Sequence, residues 1–389
     1  MPENNLLVIS NSFPDQENSY ITDIFVKEQI RYIKDYFDHV YVFSPVAYGM
    51  EQFRKTRHTD YQFDNVRVFF PKYVNNPLFW YFGRPMWVDR EVKAITSLIE
   101  KEQLHFDLIH AHYTWPSGAA GVRLKEKYAV PVVITEHTSN TLKKAIETQD
   151  AIFTKTWSNA DTIIRVKKSD ASAFGRMQIP LQNIISIPNG YDSKKFHPID
   201  AQKCRETLQL PRDTKIILNV GNLYGEVKGH RYLVEAVSKI VAQQKEFLCI
   251  IIGDGKLRNT LEHRIRSFGL EEHVLLTGGK QHTEIPLWMN ACDLFVLPSL
   301  NEGNPTVMFE ALGCGKPFVG TRVGGVPEVI TSDKYGLLVE PAKPVDLAEM
   351  ILVALEREWD REAILAHAGQ FTWESIAKEI TGVYARVLG

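Results

Sequence analysis

Two carboxylates bracket a junction between loop and helix in the C-terminal half of the chain. Glu302 and Glu310 are separated by seven residues within Pro298-Ser-Leu-Asn-Glu-Gly-Asn-Pro-Thr-Val-Met-Phe-Glu-Ala-Leu-Gly, which follows an apolar run of strand type. Asn304 is expected as the N-cap of the helix, with Pro305 at the first helical position, where the N–H that proline lacks would have had no intrahelical partner. The amides of Thr306 and Val307, at the positive end of the helix dipole, then suit an anion such as a diphosphate. Gly303 removes a side chain where such a ligand must come close to the backbone. Glu302 lies on the loop and Glu310 inside the helix, so they serve different parts of a ligand. One can reach a sugar, and the other can accept the vicinal hydroxyls of a ribose. The plain alternative is a capped helix carrying two solvated glutamates.

Other segments carry groups of the same kind. Gly253-Asp254-Gly255, followed by Lys256, Leu257 and Arg258, ends a strand at the carboxyl edge of a sheet, where open α/β sheets bind ligands. Asp254 reads equally well as part of an ordinary strand-to-helix turn, and Arg258 is the better candidate for contact. In the N-terminal half, His110-Ala111-His112 and Thr135-Glu136-His137-Thr138 each end a strand. A single histidine more often packs and hydrogen-bonds than catalyses, yet both segments are expected to point toward one cleft. His110 and His112 are assigned to opposite faces of their strand, which leaves no three-histidine metal site. No Asp-x-Asp pair stands at a strand end as a divalent-cation clamp.

Residues so scattered need a scaffold that gathers strand ends, and the hydrophobic pattern supplies one. Short apolar runs alternate with amphipathic stretches, the signature of parallel sheets built from βαβ units. In the first half the runs are 6–10, 40–43, 107–112, 131–135, 162–166 and 184–187, with helices expected over 21–35 and 118–127. The second half repeats the pattern at 216–220, 247–252, 274–277, 294–297, 318–320 and 337–339. Turn residues from Pro188 to Pro198 place a boundary between two domains, 1–190 and 191–370, and 371–389 reads as a helix outside the second sheet. The segment 49–90 fits no βαβ unit and interleaves many aromatics with Arg54, Lys55, Arg57, Lys72 and Arg84.

Length and composition agree with this division. At 389 residues the chain exceeds the size at which one core keeps growing. Its 44% hydrophobic and 24% charged residues are ordinary for a folded protein. A formal net charge of -2 argues against general nucleic-acid binding. Cys204, Cys249, Cys292 and Cys314 lie far apart, so neither a zinc site nor a disulfide framework is expected, and they read as buried thiols in a reducing compartment. No run of about 18 apolar residues appears, so a cytoplasmic protein is expected.

Taken together, the motifs resemble the retaining glycosyltransferases of family 4. The resemblance rests on Glu302 and Glu310 with Gly-Asn-Pro-Thr-Val-Met-Phe-Glu between them, on Gly324-Gly325-Val326-Pro327-Glu328, on Ile252-Gly253-Asp254-Gly255, and on Val220-Gly221-Asn222-Leu223 followed by Lys228-Gly229-His230. It covers nearly the whole chain, and the order and spacing of the motifs are more specific than any one of them. It implies the GT-B fold, an α/β architecture of two Rossmann-like, doubly wound domains facing each other across a cleft. The N-terminal domain would bind the acceptor and the C-terminal domain the nucleotide-sugar donor, with the last helix crossing back to the first. The position of Glu302 resembles the residue that binds the donor sugar, Glu310 the one that holds the ribose, and Lys228 the lysine that neutralises the diphosphate. Gly253 and Arg258 would lie beside the nucleotide base. His112 matches a histidine near the reacting sugar, and His137 is taken as a second donor contact. The chain departs from the family where Asn222 replaces an arginine of the phosphate clamp, since Asn donates a hydrogen bond but brings no charge. Asn18-Ser19-Tyr20 also stands where a pair of glycines commonly faces the phosphate.

The resemblance implies a retaining, metal-independent transfer without cofactor, from a UDP- or GDP-sugar to a glycan or lipid-linked acceptor in cell-surface polysaccharide or glycoconjugate synthesis. Two other classes stay open: a nucleotide-sugar epimerase of the same fold and a non-catalytic nucleotide-sugar binder. Residues 53–87 are assigned either to an anionic membrane surface, which would place the protein at the inner face of the cell membrane, or to a packed insertion shielding the acceptor cleft.

Overall fold

The computed structural model describes residues 4–18, 23–48, 58–75, 83–243 and 246–389. Its strands, in chain order, are β1 (Asn5–Ile9), β2 (His39–Phe43), β3 (Val46–Ala47), β4 (Tyr61–Phe63), β5 (Val66–Phe69), β6 (Lys72–Tyr73), β7 (Leu108–His112), β8 (Val132–Glu136), β9 (Thr162–Arg165), β10 (Ile184–Ser186), β11 (Lys215–Val220), β12 (Phe247–Ile252), β13 (Val274–Gly278), β14 (Leu294–Leu297), β15 (Phe318–Thr321) and β16 (Gly336–Val339). Two compact units result: 1–188 with 376–389, and 189–375.

The first unit is built on an eight-stranded sheet of order β10-β9-β8-β7-β1-β2-β5-β4. Every pairing in it is parallel except β4 against β5. Here the structure corrects the reading of 49–90 as an insertion outside any sheet. Val66-Arg-Val-Phe adds β5 beside β2, and β4 closes the edge. The strand escaped notice because four residues give too few periods to stand out among aromatics on both sides. Residues 49–57 and 76–82 of that segment lie outside the described residues, as do Ser19 and Tyr20. The parallel strands are almost fully buried, as expected of a sheet covered by helices on both faces.

The second unit carries a six-stranded, all-parallel sheet of order β13-β12-β11-β14-β15-β16. Counted from its own first strand, this is the 3-2-1-4-5-6 order of a doubly wound fold, whose chain reverses direction of travel between β11 and β14. The crevice at the carboxyl ends of those two strands is where such folds bind ligands. Apolar residues on the two faces form separate clusters. Leu218, Phe295, Met308 and Phe309 lie in one, while Val237, Ile251, Val296 and Ile351 lie in the other.

One buried charge in the first unit gives a measurable pH effect. Glu91 is fully buried on the Arg84–Glu102 helix. Its Oε1 accepts from Tyr73 Oη (2.8 Å), Trp87 Nε1 (2.9 Å) and Asn11 Nδ2 (3.1 Å), and its Oε2 has no hydrogen-bond partner. Burial pushes its pKa up from 4.5 to about 7, although the three donors pull the other way. The folded state therefore holds the extra proton, and stability falls as pH rises from about 4.5 through about 7. Glu91→Gln should flatten that slope, gaining roughly 1–3 kcal/mol relative to wild type between pH 4.5 and pH 8 in urea denaturation. Parallel pH profiles for the two chains would contradict it.

Candidate active site

The sequence of the second unit brings two loops to the switch point. After β11 the chain turns through Glu226–Lys228, and after β14 it runs from Pro298 to the Thr306–Gly313 helix. Leu300 N donates to Val227 O at 2.7 Å, tying one loop to the other. Gly229 has φ +70°, and a Cβ there would stand 2.0 Å from Pro298 O. Only a residue without a side chain lets the loops approach so closely. From the opposite side, Gly325 N donates to Gly303 O at 2.7 Å, and a Cβ on Gly324 would stand 1.9 Å from Glu302 O. The Gly324-Gly325 motif thus props the loop that carries the first carboxylate.

Within this frame Lys228 meets Glu302. Its Nζ donates to Oε1 at 2.8 Å and to Oε2 at 3.1 Å. Ser299 Oγ donates to the same Oε1 at 2.6 Å, and Ser299 O accepts from Thr321 Oγ1 on β15. Glu302 is 7% exposed while the Lys228 side chain is 25% exposed, so the cation is the more accessible partner. Glu310, 5% exposed, accepts from His282 Nε2 at 3.1 Å through Oε1, and its Oε2 has no partner. His282 was not among the residues singled out from the sequence. It lies 28 positions from Glu310, and no spacing rule joins the two.

The expected cap is corrected. Pro305, not Asn304, occupies the N-cap position, with extended φ and ψ and no side-chain cap, and Thr306 begins the helix. Asn304 is diverted because its Oδ1 accepts from Asn189 N and its carbonyl from Asn189 Nδ2, both at 2.8 Å. The amides of Thr306 and Val307 remain in the first turn, where a helix offers no internal acceptor. Both residues are partly exposed, as is Gly303.

Other candidates are more dispersed. Asn222 is exposed, on the loop after β11. Gly253 follows β12, its N–H bonded to Gly278 O at 3.0 Å. Arg258 starts the Arg258–Ser267 helix but is engaged by Glu262 (2.9 Å) and by Leu276 O (3.2 Å). His230, 2% exposed, cannot supply the charge that Asn222 lacks. Burial, helped by Lys228, pushes its pKa down to about 4.

In the first unit the histidines form a cluster, and the assignment of His110 and His112 to opposite faces is overturned. Residues two apart on a strand share a face, and the two rings lie 4.4 Å apart between centroids. His110 bonds Tyr384 Oη through Nδ1 (2.6 Å) and Thr135 Oγ1 through Nε2 (2.7 Å). His112 Nδ1 lies 3.0 Å from His137 Nε2, and its own Nε2 is unpartnered. Burial drives the pKa of His110 down to about 3 and that of His112 well below its ordinary value, so both are neutral at physiological pH. Such rings exchange single hydrogen bonds rather than charge. Tyr384 comes from the C-terminal helix, a contact invisible to local sequence reading.

Comparison with known proteins identifies the family. Residues 24–195 match Glycosyltransferase Family 4, and residues 200–370 match Glycosyl transferases group 1. An uncharacterized glycosyltransferase of Methanocaldococcus jannaschii is 32% identical over 295 residues, covering 74% of this chain and 77% of its own. D-inositol 3-phosphate glycosyltransferase 2 of Catenulispora acidiphila is 29% identical over 331 residues, 75% of each chain. Among solved structures, Anabaena HepE in complex with UDP-glucose superposes with a TM-score of 0.76 at 21% identity, covering 98% of this chain and 99% of that one. The chain belongs to the family 4 (group 1) glycosyltransferases and has the GT-B fold.

The loop packing makes one test direct. Gly229→Ala should cost roughly 1–3 kcal/mol of stability and weaken binding of nucleoside diphosphates, because the turn carrying Lys228 must move off Pro298. Urea unfolding together with UDP titration checks both effects, and wild-type values in both would refute the packing argument.

Proposed function

We propose that the chain transfers a hexosyl unit from a nucleotide-diphospho-sugar, UDP- or GDP-linked, with retention of anomeric configuration. The observation that carries this reading is the Lys228–Glu302 pair at the strand-order reversal, beside the first turn of the Thr306–Gly313 helix. An ammonium and a helix N-terminus suit a diphosphate. A carboxylate next to them suits sugar hydroxyls, and Glu310 suits a ribose diol. The UDP-glucose bound to a protein of the same fold supports a nucleotide-sugar donor.

On this reading donor binding divides the ion pair. Lys228 turns to the diphosphate, whose charge grows as the glycosyl group departs, and Glu302 turns to the sugar. Gly303, Asn304, Pro305, Thr306 and Val307 shape the phosphate pocket, with Asn222, Gly253 and Arg258 toward the nucleotide. The bond from C1 to the phosphate oxygen breaks, and an acceptor oxygen attacks C1 on the same face. Its proton passes to the departing phosphate, so neither glutamate need act as a covalent nucleophile. Neutral His112, whose Nδ1 lies 3.0 Å from His137 Nε2, suits a hydrogen bond to a sugar hydroxyl. The acceptor is placed in the 1–190 domain as a glycan or lipid-linked saccharide. Lys228 and the helix amides supply the positive charge, so no divalent metal is invoked.

Glu310→Ala should raise the donor KM by tenfold or more, through loss of hydrogen bonds to a charged group. Lys228→Ala should lower kcat by roughly 100-fold or more. Both are measured as acceptor-dependent nucleotide release across UDP-, GDP- and ADP-sugars, in EDTA. Unchanged constants in both variants would sink the site assignment, and magnesium-reversible loss in EDTA would sink the metal-free reading.

A membrane contact is proposed for the described part of 53–87 and its neighbours. It is supported by a groove of about 550 Å³ lined by Lys72, Arg90, Lys93 and Lys101 together with Val74, which is 65% exposed. Cations beside exposed apolar side chains suit an anionic lipid surface. Arg84, also in this stretch, is already engaged by Asp150 at 2.6 Å. Among the described residues no helix is long and apolar enough to cross a membrane. Sedimentation with phosphatidylserine vesicles should exceed that with phosphatidylcholine vesicles and fall in the Lys93→Glu/Lys101→Glu variant. Equal sedimentation in all three would leave the packed-insertion reading.

A further inference from the structure

Glu310 is almost buried, and a buried carboxylate without fixed donors has neither water nor a defined orientation. A single side chain is seen to supply that orientation. His282 lies between β13 and the Ile285–Ala291 helix, and its Nε2 is 3.1 Å from Glu310 Oε1. A carboxylate can only accept, so Nε2 carries the hydrogen of this bond. The ring is held in turn. Phe196, itself 1% exposed, packs at 5.3 Å between centroids. The turn around His282 is closed by Gln281 N donating to Glu284 Oε2 and Glu284 N donating to Gln281 O, both at 2.9 Å. The imidazole itself is 20% exposed. Among the described residues Glu310 Oε2 has no hydrogen-bond partner, which leaves one buried, unsatisfied acceptor beside an anchored one.

We propose that His282 is a positioning residue for nucleotide recognition: it takes Oε1 of Glu310 and thereby presents Oε2 to a ribose hydroxyl. The proposal rests on the reading of Glu310 as the ribose carboxylate. It assigns to His282 the preference for a ribonucleotide over a nucleotide lacking the diol, because a carboxylate free to rotate would lose the aimed contact and a deoxy ligand never had it. Gly278, which ends β13, and the short turn that follows matter here only because they carry His282 to Glu310.

The test compares whichever of UDP, GDP and ADP binds the wild-type chain most tightly with its 2′,3′-dideoxy counterpart, by calorimetric titration. Wild type, His282→Ala, His282→Gln and Glu310→Ala are measured, with thermal unfolding to verify that each is folded. Wild type should prefer the ribonucleotide by about tenfold or more, and Glu310→Ala should abolish the preference. His282→Ala should reduce it to within about threefold, while His282→Gln, whose amide can still donate, should retain more of it. If Glu310→Ala removes the preference and both His282 variants keep it, the role of His282 is overturned and the ribose reading stands. Equal weakening of both ligands by His282→Ala, with their ratio unchanged, overturns it likewise. A preference that survives Glu310→Ala overturns the ribose reading and this proposal together. Should His282→Ala not fold, His282→Leu, whose side chain cannot donate, takes its place: a wild-type ratio there overturns the proposal, and a ratio reduced to within about threefold supports it.

Discussion

The ion pair between Lys228 and Glu302 is the contact on which the site depends, and it exists because of strand order. The two residues are 74 positions apart and are carried by strands that neighbour each other only where the second sheet reverses its direction of winding. Everything around them fixes that meeting. Gly229 lets one loop touch Pro298, Gly324 lets the next loop touch Glu302, Ser299 donates to the carboxylate, and Thr321 donates to the carbonyl of Ser299. The two charges satisfy each other, so Glu302, almost buried, does not stand as an uncompensated charge.

Buried polar groups are stabilised in two ways. In the second unit Lys228 donates to Glu302, and Glu310 accepts from a histidine. In the first unit burial suppresses charge on His110 and His112, leaving neutral rings that bond separately, His110 to Tyr384 and Thr135 and His112 to His137.

Reading the chain residue by residue found most of the architecture. Strands such as Phe247–Ile252 and Leu294–Leu297 stand where their apolar runs stand, because a sheet buried on both faces writes an uninterrupted hydrophobic run into the chain. The same reading failed for β5, whose four residues are too short to show a period, and for the helix cap, where Asn304 is claimed by Asn189 from far along the chain. It also failed for the faces of His110 and His112, which strand geometry alone puts on one side.

The sequence by itself determined the alternation of strands and helices, the two-part division, the carboxylates flanking a helix start, and a lysine after the first strand of the second sheet. These are local facts, set by side-chain periodicity and turn chemistry within a few residues. Only the tertiary structure decided which groups touch: Lys228 with Glu302, His282 with Glu310, His110 with Tyr384. Those contacts span 74, 28 and 274 positions and depend on strand order and helix docking. Many side chains cooperate to set those, and no single spacing in the chain encodes them.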